Sequence, residues 1–257
     1  MTATRLLIVK LGDTLPHVRS AQGDFEDWIA HGLRASGQLL DIEVCDPRQG
    51  DVLPPAQANK QRADMPLAGV VVTGSHAMVT DREGWSEHTA CWLRDAVNAG
   101  LPVLGICYGH QLLAHALGGT IHDHPDGLEV GTTDVWLTDD GENDPLFAAL
   151  PSHWPAQVAH RQSVGELPPG AVHLAHNRFE PHHAFRVGQC AWGVQFHPEF
   201  DTDATRAYIE HLSGSLVQQG ESVHALNAAV QPTPVAASLL ARFANVACGA
   251  AHRPHAA

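Results

Sequence analysis

The chain has 257 residues, 44% of them hydrophobic, enough for a sizeable core in one large domain or two small ones. With 28 acidic against 15 basic residues, its formal net charge of -13 argues against nucleic acid or an anionic membrane as a bulk partner. No apolar run reaches the roughly 20 residues a membrane helix needs, and the N-terminus has no signal-peptide pattern. The five scattered cysteines suit a reducing compartment, so a cytoplasmic location is expected.

Residues 6–9 (Leu-Leu-Ile-Val) predict a first buried strand, and Gly12-Asp13-Thr14 a loop. Phe25, Trp28, Ile29 and Leu33 recur at helical spacing and predict an amphipathic helix ending near Gly37. A strand is expected over residues 39–44, and a proline-rich surface loop with at most a short helical turn over 46–66. Residues 67–73 predict another buried strand, ending in Thr73-Gly74-Ser75-His76. On its own that ending reads as an ordinary strand-to-loop turn. Residues 83–98 predict a helix with Gly100 as its C-cap.

Residues 101–106 are a short apolar run that suits a strand buried on both faces. It meets Cys107 between two glycines, and Gln111 to Leu117 continue at helical spacing. A strand turning sharply into a helix needs small residues beside the turn, because a Cβ would collide there. The residue at such an apex stands above the sheet at a helix N-terminus, which favours the reactive thiolate.

After this helix, Gly118-Gly119 is a stop signal, and short strands are expected at 120–121 and 135–137. Residues 144–147 predict a capped helical turn, and strands are expected at 157–160, 172–175, 185–187 and 191–196. The last of these leads into His197-Pro198-Glu199, ninety residues after Cys107. Pro198 biases His197 toward extended backbone, where residues i and i+2 share a side. Glu199 can therefore reach the His197 ring, and a cysteine nucleophile needs such a base and orienting carboxylate. A helix over 203–212 with Asp201 or Asp203 as N-cap, a loop with a short helix over 214–234, a helix over 235–246 and a disordered tail from 248 complete the reading. The 19 histidines are scattered and lack partner cysteines at zinc-finger spacing, so they read mainly as solvated surface, and no metal site is expected. Strands alternating with helices imply a doubly wound, mostly parallel α/β sheet, with its site beyond the C-terminal strand ends.

Gly-Ile-Cys-Tyr-Gly-His-Gln with a later Gly-Val-Gln-Phe-His-Pro-Glu resembles the class I, triad-type glutamine amidotransferases. The likeness is greatest to the glutaminase domain of GMP synthase and its free-standing relatives, and covers roughly residues 5–212. It implies a catalytic triad of Cys107, His197 and Glu199, an oxyanion hole from the backbone N–H groups of Ser75 and Tyr108, and substrate contacts from Gly74, Gln111 and His160. His110 is read as non-catalytic, and Glu129-Val130-Gly131 resembles a Glu-x-Gly segment of several relatives. Ser75 and His76 stand where the family has glycine and proline. Ala159 and Arg161 replace its small residues around His160, and Gln162 replaces its usual acid.

The implied activity is hydrolysis of the glutamine γ-amide through a Cys107 thioester, with no cofactor. The partners implied are a possible separate synthase subunit, for ammonia delivery, and a small-molecule substrate, glutamine or another γ-glutamyl compound. A free-standing γ-glutamyl peptidase or hydrolase is the close alternative, and a non-catalytic binding subunit the alternative from another class. The expected organisation is an amidotransferase-like domain over residues 1–212 and a helical C-terminal extension with a disordered tail over 213–257.

Overall fold

The computed structural model describes residues 3–56 and 66–251. The middle of the predicted proline-rich loop and the last six residues of the predicted tail lie outside them. The elements in chain order are β1 (Thr4–Val9), α1 (Pro16–Gln22), α2 (Phe25–Arg34), β2 (Leu40–Cys45), β3 (Leu67–Val72), α3 (Gly84–Asn98), β4 (Val103–Ile106), α4 (Tyr108–Ala116), β5 (Thr120–Asp123), β6 (Glu129–Leu137), α5 (Asp139–Glu142), β7 (His153–His160), β8 (Gln162–Glu166), β9 (Val172–His176), β10 (Ala184–Val187), β11 (Ala191–Val194), α6 (Thr202–His211), α7 (Ser213–Gln218), α8 (Val223–Ala229) and α9 (Pro234–Ala251).

Nine strands form one mixed sheet in the order β2-β1-β3-β4-β11-β10-β9-β6-β7. The pairings from β2 through to β11 are parallel, and those from β11 out to β7 are antiparallel. Strands β5 and β8 make a separate antiparallel ribbon. The parallel half is covered on both faces, as its continuous apolar runs require. Leu6, Ile8, Val71, Leu104 and Ile106 face one cluster with residues of α2 and α9. Leu7, Val9, Val70, Val72 and Val103 face the other with α3 and α4. That alternation is the two-residue period of a strand.

The C-terminal helix is longer than residues 235–246. It runs from Pro234 to Ala251, so Cys248 belongs to a helix and not to a disordered tail. Its Leu239, Leu240 and Phe243 are buried. Two glycines let it settle: a Cβ at Gly32 of α2 would overlap the Leu240 side chain, and one at Gly69 of β3 would lie 2.9 Å from the Ala247 Cβ. Two helices, α7 and α8, occupy the stretch expected to hold one. Among the described residues, no helix is long and apolar enough to cross a membrane.

Candidate active site

The turn from β4 into α4 is built by close backbone approach. A Cβ on Gly105 would overlap the Gly109 carbonyl, and one on Gly109 would lie 2.5 Å from the Val72 carbonyl oxygen. Helix α4 is thereby drawn down onto β3 and β4. Cys107 at the apex has φ 51 and ψ -102, a left-handed backbone that costs a non-glycine residue free energy. Its N–H donates to the Val194 carbonyl at 2.8 Å, tying the apex to the end of the neighbouring strand β11. Its Sγ lies 3.8 Å from the Ala159 carbonyl oxygen.

Strand β11 runs parallel to β4, with Ile106 beside Val194. Three residues on, the His197 N–H donates to the Gln157 carbonyl at 2.8 Å, and so the imidazole is held over the same strand ends. Its Nδ1 is 2.7 Å from Glu199 Oε1. The Glu199 side chain is fully buried, and its Oε2 has no partner among the described residues. Burial alone would lower the His197 pKa. The Glu199 charge and the Cys107 side chain, within hydrogen-bonding reach, outweigh burial and push it up to about 10. Phe200 stacks on the ring with centroids 4.0 Å apart, and Phe25 backs it at 6.4 Å.

Gly74 lies between these two side chains: a Cβ there would be 3.1 Å from His197 Cε1 and 3.8 Å from the Cys107 Cβ. Ser75 does not have the positive φ that would strain a serine. Its Oγ accepts from the Ala77 N–H at 3.1 Å, fixing the turn. The backbone below it needs Gly12, where a Cβ would sit 2.5 Å from the Ser75 Cα. Neither the Ser75 nor the Tyr108 N–H donates to a protein group among the described residues. For Tyr108 this follows from its place in the first turn of a helix.

A cleft of about 240 Å³ opens over this corner, and Ser75, Cys107, Tyr108, Gln111, His160 and Arg161 are among its lining residues. Gln111 is fastened inside it, its Nε2 donating to the Gln162 carbonyl at 2.7 Å and to Gln195 Oε1 at 2.9 Å. His160 is buried, with Nε2 2.9 Å from Glu129 Oε2 and Nδ1 3.1 Å from the Gln162 carbonyl. Burial opposes its protonation, but Glu129 outweighs this and raises its pKa. The Glu129 carboxyl, although buried, is held well below the usual range by His160 and His183. Gln162, in place of an acid, donates to Thr80 Oγ1 at 2.6 Å and Asp123 Oδ1 at 2.9 Å.

Most of the described histidines are exposed or half-buried, but five are not surface residues. His110, His124, His160, His183 and His197 are all buried. His110 lies beneath the cleft against Phe185, and burial holds its pKa well below the usual value. Among the described residues no group of three or more His, Cys, Asp or Glu is placed to hold a metal ion, and no disulfide links the five cysteines.

Several residues around the site carried no motif. Phe25, Phe200 and Tyr208 form an aromatic wall behind His197, and a three-residue spacing in 197–200 was the one available signal. Lys10 is buried and bonds Asp24 at 2.8 Å and Glu26 at 2.6 Å, which anchors the start of α2 and hence Phe25.

The family model described as glutamine amidotransferase class-I matches residues 22–212. The chain belongs to the class-I glutamine amidotransferase family. It is 25% identical over 216 residues to a glutamine amidotransferase-like protein of Schizosaccharomyces pombe, covering 82% of this chain and 86% of that protein. It is 31% identical over 198 residues to the GMP synthase of Clostridium perfringens, covering 75% of this chain but only 35% of that longer protein. A glutamine-hydrolysing GMP synthase subunit of Methanocaldococcus jannaschii is 41% identical over 105 residues, 40% of this chain and 54% of that protein. Among solved structures, a glutamine amidotransferase of Thermotoga maritima superposes with a TM-score of 0.71 at 18% identity, over 96% of this chain and 99% of that one. The resemblance read from the two sequence motifs is to the same family, and the fold is that of its class-I structures.

Proposed function

We propose that this member of the family hydrolyses the γ-amide of glutamine through a thioester on Cys107. The observation that carries the reading is the strained Cys107 apex beside an imidazole paired to a buried carboxylate. His197 takes the thiol proton, and the thiolate sulfur attacks the γ-carbon. The developing oxyanion is met by the backbone N–H groups of Ser75 and Tyr108. One such donor typically contributes about 2.7–4 kcal/mol of transition-state stabilisation. As the carbon–nitrogen bond breaks, the imidazolium returns the proton to the departing nitrogen, and ammonia leaves. Water, deprotonated by His197, then attacks the thioester, and glutamate leaves as the thiol is restored.

Gly74, Gln111 and His160 line or border the cleft and are assigned to substrate contact. In this reading Gln111 and His160 also brace the wall, since Gln111 Nε2 and both His160 ring nitrogens already bond protein groups. The likeness to the Methanocaldococcus jannaschii protein, itself a GMP synthase subunit, supports delivery of ammonia to a separate synthase partner. Residues 1–212 are taken as the catalytic unit, with residues 213–257 as an extension of it, in the cytoplasm.

The test is release of glutamate and ammonia from glutamine by the isolated protein, with Cys107→Ala as control. Turnover by the parent and none by the variant is the expected result. Equal turnover by both, or no turnover together with no alkylation of Cys107 by a glutamine-like electrophile, overturns the reading in favour of a non-catalytic binding role. A free-standing γ-glutamyl hydrolase is the second reading, favoured by the Arg161-bearing wall of the cleft.

A further inference from the structure

The charge of the cleft runs against that of the chain. The sequence carries 28 acidic residues, yet among the described residues no carboxylate lines the cleft, and Arg161 is its one guanidinium. Two acids lie behind its walls: Glu199 is committed to His197, and Glu129 to His160 and to Asn177, whose Nδ2 donates to it at 2.6 Å. Arg161 sits at the bend from β7 to β8, two residues beyond Ala159, whose carbonyl faces the Cys107 sulfur. The bend is fixed, because the Arg161 carbonyl accepts from the His124 N–H at 2.8 Å. The guanidinium itself is exposed and has no carboxylate partner among the described residues.

Glutamine enters as a zwitterion. This cleft offers an unpartnered guanidinium to a carboxylate and no carboxylate to an ammonium. We infer that Arg161 selects γ-glutamyl amides carrying net negative charge over free glutamine, which makes it a specificity-determining residue of the Cys107 site. The inference rests on the thioester chemistry proposed above and names the substrate class it acts on. Two sources of that charge share the same chemistry: a carboxylate on the leaving amine, as in a γ-glutamyl amino acid, or an acylated α-nitrogen, which removes the ammonium. A planar guanidinium engages either carboxylate through two parallel N–H donors.

The experiment measures kcat/KM of the full chain on glutamine, γ-glutamylglycine, γ-glutamylethylamide and N-acetylglutamine, for the parent, Arg161→Gln and Arg161→Lys. γ-Glutamylglycine is expected to exceed its neutral-tailed counterpart γ-glutamylethylamide by about tenfold, the scale of a charge-assisted hydrogen bond. That ratio should fall to about one in Arg161→Gln, recover in part in Arg161→Lys, and shrink with added salt. An advantage also shown by N-acetylglutamine over glutamine assigns the effect to the missing ammonium. An advantage confined to γ-glutamylglycine assigns it to the leaving group. Equal or better use of the zwitterions, with ratios unchanged in Arg161→Gln, overturns the inference while leaving the thioester reading intact. No turnover of any of the four, with Cys107 unreactive, overturns both.

Discussion

The ring of Phe200 lies flat against that of His197, centroids 4.0 Å apart and planes 21° from parallel. With Pro198 between them in the chain and Glu199 holding Nδ1, the imidazole is fixed at one edge and one face. Phe200→Ala should therefore cost catalysis beyond its effect on folding. A lost buried aromatic ring costs about 3–5 kcal/mol of stability. In the protein that remains folded, kcat should drop about tenfold or more with KM little changed, because a loosened base misplaces the proton and not the substrate. Phe200→Tyr, which keeps the stack, should recover most of kcat in steady-state kinetics.

Glu199→Gln should lower kcat by roughly 10³- to 10⁴-fold, as loss of the carboxylate does in other nucleophile–histidine–acid sites. It should also bring the His197 pKa down from about 10, because Glu199 is the chief group opposing burial. The sign for stability follows. A histidine whose pKa is raised on folding adds stability that is fully present below its unfolded value near 6.5 and is lost as pH rises through the folded value. Urea unfolding between pH 6 and pH 10 should show the parent losing stability across that window and Glu199→Gln losing much less.

Cys107 offers a sharper test of strain. At φ 51 and ψ -102, glycine is at ease and alanine is not. Cys107→Gly and Cys107→Ala should both be inactive, yet the glycine variant should be the more stable by about 1 kcal/mol, the reverse of the usual order. Thermal melts of the two variants decide it, and an alanine variant as stable as the glycine one would falsify the strain argument.

Gly109→Ala places a methyl group 2.5 Å from the Val72 carbonyl oxygen. Backbone cannot rotate aside as a flexible side chain can, so α4 must lift from β3. The expected cost is about 1–3 kcal/mol, with slower alkylation of Cys107 by iodoacetamide in the folded protein.

The buried pair of Glu129 and His160 predicts an acid limit. The Glu129 carboxyl is held below its usual pKa by its histidine neighbours. It therefore contributes stability above the unfolded value near 4.5 that is lost as pH falls through the folded one. Glu129→Gln leaves a buried histidine without its counter-charge and should cost about 3–5 kcal/mol at neutral pH. Its acid-unfolding curve should then be flatter than the parent's below pH 5.

Much of this architecture was legible because its signals are local. A Val- and Leu-rich run ending in Gly-x-Cys-x-Gly constrains strand, turn and helix together, since only glycine admits the approach of Gly105 to Gly109. The antiparallel half was harder to read. Strand β8 and the short helix α5 are polar or brief, and long-range pairing decides them more than periodicity does. The buried histidines were misread for a related reason. His183 looks like a surface residue by type, and only tertiary contact with Glu129 shows why it is inside. Gly12 read only as the start of a loop, because its role is to lie under Ser75, 63 residues away.

The hydrogen bond from the Cys107 N–H to the Val194 carbonyl joins the ends of two adjacent parallel strands. The chain between them runs out through α4 and back through β6, β7, β9 and β10 of the same sheet before reaching β11, so its length does not enter the distance between the thiol and the imidazole. Much of that excursion is thus free to diverge: a lineage could lengthen the exposed turns at Gly170 or Gly188, or graft a docking surface there, while the spacing of the two reacting groups is inherited unchanged.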